Sequence, residues 1–154
     1  MISTVWQHTN KYLTRKSNFS VEVVHSKTPG IYTEENHWCI YAYIYSNHPS
    51  LELFTSDEIY QNATESFPFH GGCSFVRRNY NSEGEVVSVQ VGCDYNHYRD
   101  DDYLTMSTIE EAGSIFYDAE KLVKYLEGYK NDRKLHKSKT TCLLSTLRGI
   151  QRSI

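Results

Sequence analysis

The chain has 154 residues, is 39% hydrophobic and 14% aromatic with 13 Tyr, and carries a formal net charge of −3. That length fits one domain with a sizeable core, and no apolar run approaches the length a membrane-spanning helix needs. The N-terminus has no charged-then-apolar leader pattern, and four cysteines (Cys39, Cys73, Cys93, Cys142) are too few for a disulfide framework, so a soluble cytoplasmic protein with reduced thiols is expected.

The first predicted element is a half-buried strand at Phe19–His25, where valines alternate with polar residues. Lys27-Thr-Pro-Gly30 reads as the turn after it. His37–Tyr45 is β-branched and aromatic throughout, which predicts a central strand covered on both faces, ended by Asn47-His-Pro-Ser50. Ser56–Ala63 reads as a short helical turn opening on a serine cap. Residues 73–78 and 85–92 flank the polar connector Asn79–Gly84 and predict an antiparallel hairpin. Ser107-Thr-Ile-Glu110 fits a capping box. Ile109, Ala112, Phe116, Ala119, Val123 and Leu126 then recur at helical spacing, predicting a helix over 107–128 with one face on the core.

Charge divides the chain. Residues 1–129 carry 9 Lys/Arg against 18 Asp/Glu, a net −9, whereas 130–154 carry 7 against Asp132 alone, a net +6. The expected architecture is therefore an α+β domain over 1–129, an antiparallel sheet with a C-terminal helix packed on one face. A basic appendage follows over 130–154, with 142–150 read as a short amphipathic helix. The tail has the composition of a nucleic-acid arm or of a solvated segment that offsets the body's charge.

Candidate chemistry concentrates in His70-Gly-Gly-Cys-Ser-Phe75 and Val91-Gly-Cys-Asp-Tyr-Asn-His97 with the acids that follow. His70-x2-Cys73 and Cys93-x3-His97 have the residue types of a zinc site, but residues three apart on a strand point to opposite faces, and core packing is the favoured reading of the cysteines. A second grouping is His70, Asp94, His97 and Asp100, with Tyr95, Asp101 and Asp102 beside them. On one loop these side chains suit a divalent cation or an acid/base pair. The favoured reading is plainer: Asp94 and His97 bond turn amides, and the acids cap the next segment as a solvated run. Neither Cys73 nor Cys93 has a neighbour that would activate it as a nucleophile, and no phosphate-binding glycine loop is present.

His70-Gly-Gly-x-x-Phe75 followed by Gly92-x-Asp94-x-x-His97-x-x-Asp100 resembles a group of small uncharacterised proteins encoded by phages and prophages. The similarity covers roughly residues 20–127 and leaves out the basic tail. Cys73 and Cys93 fall where that group has plain apolar residues, which weighs further against zinc held by thiolates. The resemblance implies no activity, only a setting: a phage accessory protein that binds, and inhibits or sequesters, a component of host antiviral defence. Its expected contact residues are His70, Asp94, Tyr95, His97, Asp100, Asp101 and Asp102, its expected partner is a host protein, and no cofactor is expected. The alternative is a metal-dependent hydrolase of nucleotides or phosphoesters, with a divalent ion on His70, Asp94, His97 and Asp100.

Overall fold

Valine-rich alternation forms a strand, and the aromatic run after it forms another. In the structure, a computed structural model that describes residues 8–97 and 99–129, these are β2 (Phe19–Pro29) and β3 (Glu34–Ile44). The hairpin expected downstream is β4 (Phe75–Tyr80) with β5 (Val86–Asp94). A strand not anticipated from sequence, β1 (His8–Arg15), pairs along β2. Its composition is mostly polar, and Tyr12 packs against the core. The five strands form one antiparallel sheet in the order β1–β2–β3–β5–β4. Helix α1 (Ile59–Ser66) and helix α2 (Gly113–Glu127) complete the fold with 3-10 turns at Pro49–Phe54 and Asp101–Thr105. The domain is α+β.

Several expectations shift. The turn after β2 falls at residues 30–33 rather than 27–30, because pairing with β3 carries the strand through Pro29 to Glu34. β3 is central, but its burial strictly alternates. Trp38, Ile40, Ala42 and Ile44 are buried, while Tyr41 and Tyr43 on the other face are only half-buried. That second face closes over with its own side chains. The Tyr43 hydroxyl donates to Glu22 (2.9 Å) and accepts from Gln90 (3.0 Å). Burial, with Glu22 beside it, pushes the Tyr43 phenol up to about 12.

Helix α2 begins at Gly113, not at 107. The reciprocal bonds form one residue later than the sequence pattern suggested. Thr108 Oγ1 accepts the Glu111 amide and the Glu111 carboxylate accepts the Ser107 amide, closing a separate turn. The covered line is Ile115–Ala119–Leu122–Leu126, which keeps Ala119 and Leu126 of the predicted stripe, with Ala112 also buried, and puts Ile115 and Leu122 in place of Phe116 and Val123. Phe116 and Val123 flank it, and Ile109 is 45% exposed. These residues meet β2 and β3 in a single core that also takes in Phe54, Ala63 and Phe67. Full burial of such a side chain contributes about 1.5–3 kcal/mol. Among the described residues no helix is long and apolar enough to cross a membrane. The basic tail, with the helix expected at 142–150, lies outside the described residues.

Polar pegs hold the 95–106 segment against β3. Trp38 Nε1 donates to the Met106 carbonyl (2.9 Å) and Asn36 Nδ2 to the Leu104 carbonyl (2.9 Å). Asn36 Oδ1 in turn takes the Nε2 proton of His25 (2.8 Å), whose ring lies flat on Trp38 at 4.0 Å. Buried amide and indole groups that find such partners specify a single placement for the loop.

Candidate functional site

His70–Gly72 form a turn, and the strand expected from residue 73 begins two residues later. β4 starts only at Phe75, which pairs with Gly92, so residues just before β4 face residues just after β5. This register brings His70 to the Asp94–Asp100 loop. Gly71 (φ 66°) takes a left-handed conformation open to glycine with little cost. A Cβ there would lie 2.9 Å from Cε1 of His97, so the turn backs directly onto that ring. Thr64 Oγ1, on α1, steadies the far side of the turn by accepting the Cys73 amide (3.2 Å).

Asp100 is the centre of the arrangement. It is 8% exposed and accepts three N–H groups: His70 Nε2 at 2.9 and 3.0 Å, His97 Nδ1 at 3.1 Å and the His97 amide at 2.9 Å. Burial pushes its carboxyl upward, but the His97 amide and the two imidazoles outweigh it and hold the group below the usual carboxylate range. Asp94 Oδ1 lies 3.7 Å from His97 Nε2. The two rings are one-quarter to one-third exposed, so the cluster is open to solute.

Aromatic side chains fix the pose of His70. Its ring stacks on Tyr95 at 4.5 Å and meets the edge of Tyr103 at 5.5 Å. Tyr95 donates to Asp118 of α2 (2.7 Å), and Asp118 pairs with Lys121 (2.8 Å). Burial, and then the Asp118 bond, raises the Tyr95 phenol far above its ordinary value.

Of the residues expected to form the site, His70, Asp94, His97 and Asp100 come together. Tyr95 does not reach the surface: at 2% exposure it is the wall behind His70. Asp101 and Asp102 are exposed in the first 3-10 turn after Asp100. The cysteines take no part. Cys93 is buried on the core face, where desolvation pushes its thiol up to about 12, and Cys73 Sγ bonds the Phe75 carbonyl (3.3 Å). Among the described residues neither joins a cluster of metal-ligating groups, and burial raises both thiols. Sequence reasoning missed Tyr103 and Asp118, which lie on other elements with no motif linking them to His70. The chain matches no model of a known protein family, no curated protein and no solved structure. A separate cavity of about 560 Å³ lies between β1–β2 and α2, lined by Tyr12, Val21, Val23 and Phe116 among others. None of the expected site residues borders it.

Two imidazoles and a carboxylate with donor atoms within 4.8 Å of one another could hold one cation or share protons. Gly71→Ala tests how the turn shapes them. Adopting a left-handed φ costs an alanine about 1 kcal/mol, and the new methyl displaces His97 from Asp100. The expected result is a stability loss of about 1–2 kcal/mol by urea titration, with the His97 ring resonances moved in the NMR spectrum of a still-folded domain.

Proposed function

We propose that the protein acts by binding a protein partner through the end of the sheet where the β2–β3 hairpin projects beyond the Asp94–Asp102 loop. One observation carries this reading. Ile31 and Tyr32, at the hairpin tip, are 90% and 96% exposed, and exposed tyrosine beside an aliphatic residue supplies the anchor of many interfaces. β3 pairs with β5 only from Cys39 onward, whereas β2 and β3 stay paired out to Pro29 and Glu34, so the tip stands clear of β5. The Asp101–Thr105 turn packs on β3 and leaves Asp101 and Asp102 exposed, and these carboxylates suit a basic group on the partner. The phage-like pattern of His70, Gly71, Gly72, Phe75, Gly92, Asp94, His97 and Asp100 motivates the setting. In that setting the partner is a host protein in the host cytoplasm, and binding inhibits or sequesters a component of antiviral defence. The hydrolase reading has one observation in its favour, the convergence of His70, His97 and Asp100.

A photo-crosslinking residue in place of Tyr32, used in host lysate, should trap one defined protein, while the same residue at Glu83 in the β4–β5 turn should not. Ile31→Ser or Tyr32→Ala should then weaken binding of that purified partner about tenfold or more. Unchanged affinity in both variants, or turnover of a nucleotide or phosphoester by the purified chain, would sink the proposal.

A further inference from the structure

We infer that His70, His97 and Asp100 form a site for one late first-row divalent cation of the zinc class, with Asp94 orienting His97 once the cation is bound. The inference is independent of any partner at the hairpin tip.

The donor set selects the ion. Two imidazoles with one carboxylate suit zinc, cobalt, nickel or iron, whereas magnesium and calcium favour all-oxygen ligands. The spacing agrees. Tetrahedral bonds of about 2.0–2.1 Å place donor atoms about 3.3 Å apart. His70 Nε2 and His97 Nδ1 lie 3.0 and 3.1 Å from the same Asp100 oxygen, Oδ2, and the three donor atoms lie within 4.8 Å of one another, so an ion would be admitted by drawing the two imidazole nitrogens to tetrahedral spacing. Because both rings are partly exposed, water or a solute would complete the coordination.

The same geometry accounts for the protons. With the site empty, His70 Nε2–H and His97 Nδ1–H donate to Asp100. With a cation bound, both nitrogens become ligands, and each ring moves its proton to the other nitrogen. For His97 that is Nε2, which faces Asp94 Oδ1 at 3.7 Å. A carboxylate behind a ligating histidine fixes its tautomer and strengthens its bond to the metal. Gly71 holds the His97 ring from behind and Tyr95 holds that of His70, so the donors are placed before the ion arrives, which lowers the cost of ordering them.

Cobalt(II) titrated into the full chain near neutral pH should produce visible d–d absorption saturating at one equivalent. Zinc should displace it, and millimolar magnesium should not. His97→Ala and Asp100→Asn should remove the absorption. Asp94→Asn, a change at a side chain 44% exposed, should keep the bands and weaken affinity about tenfold or more. His37→Ala, whose ring bonds Thr28 elsewhere on the sheet, should behave as wild type. Circular dichroism identifies any variant that fails to fold, and the partly exposed His97 keeps the test open should Asp100→Asn do so. Absence of absorption at millimolar cobalt, or wild-type binding in folded His97→Ala, overturns the site. Wild-type affinity in Asp94→Asn overturns its orienting role.

Discussion

Gly92→Ala should lower the unfolding free energy by about 3 kcal/mol, at the upper end of what one added methyl group costs in a packed interior. Gly92 sits in β5 between Tyr41 of β3 and Phe75 of β4. The Tyr41 ring lies across it and meets Phe75 edge-on at 5.5 Å. A Cβ at position 92 would fall 2.4 Å from the Ile40 carbonyl oxygen and 2.5 Å from Cδ1 of Tyr41. The ring can swing away, but the carbonyl belongs to the central strand and moves only if β3 and β5 part. Because β5 also delivers the Asp94–Asp100 loop, the damage should reach the site. Urea titration measures the loss, and Gly113→Ala is the matched control. Nothing lies within 4 Å of a Cβ at Gly113, in the first turn of α2, so alanine there should add about 0.5–1 kcal/mol. A wild-type midpoint for Gly92→Ala would mean that the sheet tolerates the contact.

His48→Ala should cost about 3 kcal/mol, and part of that cost should vanish in acid. The ring is 3% exposed and joins two remote elements. Nδ1 accepts the Ser50 amide (3.1 Å) and the Ser50 hydroxyl (2.7 Å) at the start of the 3-10 turn, while Nε2–H donates to the Leu126 carbonyl at the end of α2 (2.9 Å). Phe19 and Tyr129 pack against the ring. Truncation leaves a cavity and strands buried polar partners. Burial holds the imidazole pKa below 6.5, although the Leu126 carbonyl favours protonation, and a protonated Nδ1 could no longer accept from Ser50. The unfolded chain therefore takes up this proton at higher pH than the folded one. Stability from His48 is complete above about pH 6.5 and declines as pH falls below it. Asp100 acts in the same direction at lower pH, its contribution lost as pH falls below 3.8. Thermal melts from about pH 7.5 to about pH 5 should show wild type and His48→Ala converging. A constant gap would sink this account.

The sheet's central strands were legible because alternation at a period of two is written in β2 and β5, and a β-branched, aromatic run in β3. The α2 helix was legible from its period, though not its start. Competing serine and threonine caps differ by one residue, and only packing against β2 and β3 decides which register buries Ile115 and Leu122. β1 was illegible, since its polar residues form a strand only when β2 offers a ladder edge. The second face of β3 was misread for a related reason: tyrosine rings pack partly and stay partly wet, so an aromatic run cannot tell a covered face from one closed by its own side chains.

The four site residues His70, Asp94, His97 and Asp100 were identifiable as residue types, because glycines and acids mark turns and imidazoles mark chemistry wherever they occur. Local composition determines that much. Whether those side chains converge depends on the β4–β5 register, on the left-handed turn at Gly71 and on the stacking of His70 against Tyr95. Those are long-range choices, made by pairing energies and close packing between segments far apart in the chain, and no local pattern encodes them. The same holds for the exposed tip at Ile31 and Tyr32. Those residues look like ordinary core material in the sequence, and only the extended β2–β3 pairing places them in water.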